Sequence, residues 1–252
     1  MTNIKLLVDA DVILYSACLS AEYDLEYNEY LTVVASYFDD ARRHVERQLH
    51  YIKRRFDAQN SNLILFFSGE NNFRKELSTQ YKSQRLRKKP CGYWRLLKYL
   101  EGTYHTQRWP RIEADDAIGI YATSAPPYTC IVISPDKDLR QIPGQLFNPN
   151  TNELSHISPT DGARWHLIQT LAGDRSDNYP GCPGLGASRA TSLLDKKGYS
   201  WQNVVKAFAL KNLDQDTALL NARLARILTK NDYDFKLQRP ILWKPRASST
   251  AD

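Results

Sequence analysis

Three short apolar runs punctuate the chain. IKLLVD at residues 4–9, LILFFS at 63–68 and CIVIS at 130–134 are almost continuously hydrophobic. That is the pattern of strands covered on both faces of a parallel sheet. Between the first two, Leu31, Val34, Phe38, Ala41, Val45, Leu49, Ile52 and Phe56 recur every three or four residues, with Arg42, Arg43, Glu46, Arg47, Lys53 and Arg54 interleaved. This spacing predicts one long amphipathic helix. The alternation of strand and helix signals predicts an α/β fold, with a central, mostly parallel, twisted sheet flanked by helices and right-handed crossovers.

Beyond the third run the signal turns helical. Ser158-Pro159-Thr160-Asp161 reads as a helix start, Trp165, Ile168, Leu171 and Ala172 as its buried face, and Gly173 as its stop. GDRSDNYPGCPGLGAS follows and then a second helix over 189–194, so two helices flank a loop whose residues 179–186 are too rich in Gly and Pro to be helical. Residues 213–228 again read as helical, and RASSTAD as a frayed tail. The expected organisation is an α/β core over 1–157 that carries a basic arch at 70–95, a helical region over 158–245 packed on the core, and a tail over 246–252.

With 252 residues, 42% of them hydrophobic, the chain can bury a sizeable core. No stretch approaches the roughly 20 apolar residues needed to span a bilayer. The N-terminus lacks the basic start and small-residue cleavage site of a signal peptide. A cytoplasmic protein without membrane contact is therefore expected. Cys18, Cys91, Cys130 and Cys182 form no C-x-x-C pair and the five histidines no H-x-x-x-H, so neither zinc nor a structural disulfide is expected.

The formal charge is +6 and the pI about 9.0, a balance that suits a polyanionic partner. Much of the excess lies in RKELSTQYKSQRLRKKP at 74–90, where Arg74, Lys75, Lys82, Arg85, Arg87, Lys88 and Lys89 face only Glu76. Two readings stay open: a solvated surface helix, or a mobile arch that grips phosphates, with Tyr81 and Tyr93 or Trp94 to stack on bases.

Against this basic background stand four acidic clusters. Asp9 closes the first apolar run, Glu113, Asp115 and Asp116 crowd IEADDAIG, Asp136 and Asp138 follow the third run in VISPDKDL, and Asp174 and Asp177 lie three apart in GDRSDNYPG. Singly, each has a structural reading: Asp9 as an N-cap, the pairs as turns or one helix face. Yet three acids in one helical turn exceed what a macrodipole rewards, a fraction of about 1 kcal/mol each. Clusters at the ends of apolar runs belong at the carboxyl edge of the sheet, where α/β folds place ligands. Carboxylates gathered there repel one another unless divalent cations with hard oxygen ligands hold them.

VDAD, FRKELSTQYKSQR, IEADD, ISPDKDL and GDRSDNYPGCPGLGASRA, in that order, resemble the flap endonuclease and 5′-to-3′ exonuclease family, especially the stand-alone exonucleases of short-tailed bacteriophages. The resemblance runs from about residue 4 to 245 and includes WHLIQTLAGD, LARILTKNDYDF and LWKP. It implies a PIN-like core with a helix-three-turn-helix DNA-binding motif, and a monomeric enzyme that hydrolyses phosphodiester bonds at 5′ ends or flaps of duplex DNA and of RNA/DNA hybrids. The setting implied is phage replication, primer removal and recombination in the host bacterial cytoplasm. Asp9, Glu113, Asp115, Asp116, Asp136, Asp138, Asp174 and Asp177 then match positions that hold two Mg²⁺ ions, replaceable by Mn²⁺. Lys82 and Arg85 would neutralise the attacked phosphate and Tyr81 would stack on the terminal base. Arg74, Lys75, Arg87, Lys88 and Lys196 would contact the DNA, as would the backbone around Gly184, Gly186 and Ser188, where the loop can also hold K⁺.

One departure stands out. Ser68, Gly69 and Glu70 occupy the place after the second strand where the family has an aspartate, so Glu70, or a water, would substitute. Two readings compete with the nuclease. A haloacid-dehalogenase-type phosphatase would use D-x-D in LLVDADVI, with FFS as a second motif, but leaves IEADD and the Gly-Pro loop without a role. A DNA-binding accessory protein that has lost catalysis would have to keep eight carboxylates that repel DNA. A PIN-type ribonuclease, within the same class, lacks the GDRSDNYPGCPGLG block.

Overall fold

The computed structural model describes residues 4–84, 88–126 and 129–245. In chain order the elements are β1 (Lys5–Asp9), α1 (Ala10–Ser20), β2 (Glu22–Asn28), β3 (Leu31–Ser36), α2 (Phe38–Arg55), β4 (Leu63–Phe67), α3 (Arg74–Leu77), α4 (Tyr93–Thr103), β5 (Thr106–Arg108), α5 (Ala114–Ser124), β6 (Cys130–Ile133), β7 (Gly144–Asn148) and β8 (Glu153–Ile157). They are followed by α6 (Pro159–Ala172), α7 (Ala187–Lys197), α8 (Trp201–Ala209), α9 (Gln215–Ala225), β9 (Tyr233–Asp234) and β10 (Arg239–Pro240). The three apolar runs become β1, β4 and β6, side by side and parallel in a six-stranded sheet of order β5-β4-β1-β6-β7-β8; only β8 runs antiparallel.

Strand periodicity explains why those runs are apolar throughout. Leu6 and Val8, Leu63, Leu65 and Phe67, and Ile131 and Ile133 face a core shared with α1, α2 and α4. Their alternates Leu7, Ile64, Phe66 and Val132 face a second core shared with α5 and with Ile227 and Leu228. Gly119 lets α5 approach the latter segment: a Cβ there would lie 2.3 Å from the Leu228 carbonyl oxygen. A third core, with Leu171, Ala190, Leu194, Val204 and Phe208, joins α6, α7 and α8. No helix among the described residues is long and apolar enough to cross a membrane.

The long helix expected from Leu31 to Phe56 is shorter than its periodicity suggested. Leu31 and Val34 lie in β3, which pairs antiparallel with β2 as an exposed hairpin. Thr32, Val33 and Val34 are β-branched and stiff at χ1, which favours a strand. Helix begins only at Phe38, with Asp39 and Asp40 in its first turn and Ala41, Val45, Leu49 and Ile52 as its buried stripe. The second helix of the carboxyl-terminal region is longer than expected. It spans Ala187–Lys197, which puts Lys196 and Lys197 in its last turn rather than after it. The start at Ser158 is as read: its side chain accepts a bond from the Asp161 backbone N–H.

Candidate active site

Because β1 leads to β4 and β5 on one side and the chain returns to β6, β7 and β8 on the other, the carboxyl ends of β1 and β6 flank the point where the winding reverses. Asp9 ends β1, while Ser134, Asp136 and Asp138 follow β6. The Ser134 hydroxyl donates to Asp9 (2.8 Å) and accepts from the Asp136 N–H (3.0 Å), and Asp136 Oδ1 accepts from the Asp138 N–H (2.9 Å), setting the 3₁₀ turn Lys137–Gln141. Glu113 and Asp115 enter from the start of α5. Asp174 and Asp177 come from the turn after α6, closed by paired backbone bonds between Asp174 and Tyr179. Gly173 and Gly181 pack so closely in this turn that a Cβ on either would lie within 2.6 Å of backbone.

These acids meet in one cavity of about 240 Å³. Seven of the eight expected carboxylates line it: Asp9, Glu113, Asp115, Asp136, Asp138, Asp174 and Asp177. Asp11, which the sequence reading did not single out, is the eighth acid of the wall. Its signal was the second acid of VDAD, placed in the first turn of α1. Asp11 Oδ2 accepts from the Ser68 N–H (2.9 Å), so its charge sits at the end of β4. Glu70 does not take that place. Its side chain is exposed and pairs with Arg108 at 3.2 Å. Position 69 cannot carry an acid either, because any Cβ there would lie 1.9 Å from the Trp109 carbonyl oxygen.

Asp116 is the exception among the expected ligands. It is fully buried and gripped by Arg74, itself only 1% exposed, through Nη1 (2.6 Å) and Nη2 (2.8 Å). The Leu228 N–H (3.1 Å) and Glu113 N–H (3.2 Å) complete its shell, while Arg74 Nε donates to the Leu224 carbonyl (3.0 Å). A carboxylate bound in fork geometry has spent its lone pairs, and an enclosed guanidinium has no surface for DNA. Asp116 as metal ligand and Arg74 as DNA contact are thus corrected: together they tie α3, α5 and the segment after α9.

Tyr81 also departs from expectation. Its ring is 2% exposed and flanked by Arg74 and Lys82, and its hydroxyl shares its one proton between Glu113 (2.9 Å) and Asp177 (3.0 Å), so no face is open to stack on a base. Tyr93 is buried too, whereas Trp94 is 60% exposed. Lys82 lies at the cavity wall, pairing with Glu113 and standing 3.4 Å from Asp177. Its backbone is in the left-handed region (φ 54°) and its N–H donates to the Asp177 carbonyl (2.8 Å), a strained conformation fixed by its surroundings. Lys75, Lys88, Gly184, Gly186, Ser188 and Lys196 are exposed; Arg85 and Arg87 lie outside the described residues.

Electrostatics divides the cavity. Burial and the neighbouring Asp11 and Asp136 push Asp9 up to about 7 despite the Ser134 hydroxyl, and burial with Asp136 and Asp174 pushes Asp138 up to about 7. Burial beside Asp9 and Asp136 holds Asp115 well above the carboxylate range. Burial also raises Glu113, but the Lys82 ammonium and Arg74 guanidinium outweigh it and hold it down to about 2. Among the described residues no group of three or more His, Cys, Asp and Glu side chains is arranged so that it could hold a metal ion; Lys82 and Lys137 face Glu113, Asp177 and Asp174 instead. The donor set nonetheless fits hard divalent cations: carboxylate oxygens only, too many to be ionised together without added positive charge.

A mostly parallel sheet whose carboxyl edge gathers such a pocket beside a lysine suits metal-assisted chemistry on phosphate esters. The chain belongs to the 5′-3′ exonuclease family: residues 6–160 match the family model for the 5′-3′ exonuclease, N-terminal resolvase-like domain. The exodeoxyribonuclease of Enterobacteria phage T3 is 27% identical, covering 96% of this chain and 93% of that protein. The exonuclease of Escherichia phage T7 is likewise 27% identical, over 95% and 93%. Among solved structures, the T5 5′-exonuclease with bound divalent zinc has a TM-score of 0.64 over 88% of each chain at 17% identity, a likeness of fold.

Proposed function

We propose that the chain is a divalent-metal-dependent 5′-to-3′ exonuclease that hydrolyses phosphodiester bonds at 5′ ends or flaps of duplex DNA, and of RNA paired to DNA. Its proposed setting is phage replication, primer removal and recombination in the cytoplasm of the infected cell, as a monomer. The observation that carries the reading is the convergence of eight carboxylates from β1, α1, α5, the turn after β6 and the turn after α6 on one cavity with Lys82 at its wall. Structures of the T5 flap endonuclease with DNA and metal ions support it through their shared fold (TM-score 0.62, 14% identity).

Asp9, Asp11, Glu113, Asp115, Asp136, Asp138, Asp174 and Asp177 would hold two Mg²⁺ ions, or Mn²⁺ in their place. Bound there, such ions supply a water acidified for attack and positive charge on the scissile phosphate and the departing 3′ oxygen. The chain's own residues do the rest. Lys82 would place its ammonium on the attacked phosphate, and Arg85 would add a second positive charge. Tyr81 keeps Glu113 and Asp177 oriented. Lys75, Arg87, Lys88 and Lys196 neutralise phosphates away from the cut, and the exposed backbone of Gly184, Gly186 and Ser188 does so at the start of α7, contacts that position duplex without reading sequence. In this reading residues 1–157 form the nuclease core, and 158–245 add Asp174 and Asp177 to its site and hold the duplex through a helix-three-turn-helix motif formed by α6, its loop and α7. A K⁺ ion on the loop carbonyls would compete with Arg189, which donates to the Gly184 carbonyl at 3.1 Å.

Digestion of duplexes labelled at the 5′ or the 3′ end, with Mg²⁺ or EDTA, tests the proposal. Release from the 5′ end that EDTA abolishes is expected, as is loss of cleavage in Asp136→Ala with DNA binding retained. Digestion from the 3′ end, or cleavage indifferent to EDTA, rejects it.

A further inference from the structure

Asp138 is held from outside the α/β sheet. Gln169, in the third turn of α6, donates from Nε2 to Asp138 Oδ1 at 2.7 Å. Its Oε1 accepts from Gln141 Nε2, also at 2.7 Å. Gln141 belongs to the same 3₁₀ turn as Asp138, and its amide donates as well to the Ala225 carbonyl (2.6 Å) and accepts from the Ile227 N–H (3.0 Å). Gln169 is 6% and Gln141 2% exposed. Two buried glutamines therefore link the 3₁₀ turn, α6 and the chain leaving α9 into one chain of amides that ends on a cavity carboxylate. Five residues further along, the turn that follows α6 delivers Asp174 to that cavity.

We infer that Gln169 is a positioning residue for cation binding: its amide fixes which Asp138 oxygen faces the cavity, and so couples the packing of α6 to the pocket's affinity for divalent metal. The inference rests on the proposed role of Asp138 as a metal-holding acid. Three features separate this role from plain core packing. The donor addresses a carboxylate of the cavity wall rather than backbone. With Oδ1 engaged, Oδ2 is the oxygen left for an ion, so the amide selects a coordination geometry. Moreover, Gln141 stays anchored to the Ala225 carbonyl and the Ile227 N–H when Gln169 is removed, so its packing persists and a single Gln141 N–H loses its acceptor. Residues that orient a ligand in this way commonly change metal affinity about 10–100-fold when removed.

The test measures Mn²⁺ binding to the DNA-free protein by the electron paramagnetic resonance of free Mn²⁺, alongside the Mg²⁺ concentration giving half-maximal cleavage. Wild type, Gln169→Leu, Gln169→Glu, Asp138→Asn and the double variant Gln169→Leu/Asp138→Asn are compared. Gln169→Leu is expected to weaken Mn²⁺ binding and raise the half-maximal Mg²⁺ concentration by about tenfold, with cleavage at saturating Mg²⁺ and KM for DNA little changed. Gln169→Glu keeps the side chain's length but not its donor and should behave likewise, which guards against a packing defect in the leucine variant. In the Asp138→Asn background, Gln169→Leu should add no further loss. If Asp138→Asn weakens Mn²⁺ binding and neither Gln169 variant does, or if the double variant loses the sum of both effects, the inference is overturned while the site assignment stands. If wild type and Asp138→Asn bind Mn²⁺ equally, the proposed site itself fails, and the inference with it.

Discussion

Glu113, Asp115 and Asp116 occupy a single helical turn, yet the protein uses them in three ways. Glu113 is held ionised by Lys82 and Arg74, Asp115 is crowded by other acids, and Asp116 neutralises a buried arginine. Asp116→Ala should therefore destabilise by about 3–5 kcal/mol, the cost of leaving an enclosed charge unpaired, as measured by urea unfolding. Asp115→Asn should do the opposite in EDTA, raising the melting temperature by relieving repulsion while abolishing cleavage. Asp11→Asn should weaken Mn²⁺ binding without lowering stability in EDTA. In sequence the acids of IEADD look equivalent. Their division follows from the rotation of α5 and from a partner 42 residues away, which periodicity does not reveal. Asp11 was missed for a related reason: only the close approach of Gly69 to Trp109 shows that the end of β4 has no room for its own acid.

Among the elements, the strands buried on both faces were the most legible, because continuous apolar runs have few other uses in a chain of this polarity. The α2 boundary was not, since Leu31 and Val34 fit a helical period and a strand equally well and only pairing with β2 decides between them. The start of α6 was legible from Ser158, but what it packs against was not. Gly162 lies so close to the 3₁₀ turn that a Cβ would stand 2.4 Å from the Gln141 carbonyl oxygen. Gly162→Ala should push α6 from that turn, costing about 1–3 kcal/mol as overpacking does, readable by thermal melting. It should also raise the Mg²⁺ concentration needed for cleavage, because the strained contact adjoins Asp138.

For the molecule as a whole, fold class and site location followed from the order of apolar runs and acids, whereas the two faces of the sheet and the third core depend on contacts between distant helices. Mn²⁺ or Mg²⁺ should raise the melting temperature, by an amount that grows with the logarithm of metal concentration once the site is saturated. The pH response has a separate source in His166, buried on α6 with its ring bonded to the Ala222 carbonyl, where burial lowers it from 6.5 to about 3. The unfolded chain takes up that proton below pH 6.5 and the native one does not until about 3. Stability should therefore fall on acidification through this window, by at most about 1.4 kcal/mol per pH unit. Asp9 and Asp138, raised from 3.8, act in the opposite direction in EDTA, so the histidine's share is read as the difference between wild type and His166→Gln across pH. The β2–β3 hairpin offers a practical opening. None of residues 22–36 is buried, and none belongs to any of the three cores. A fluorophore or affinity peptide grafted at Glu29-Tyr30 would thus ride outside the folded body, giving a reporter or tether that leaves the catalytic machinery as it was.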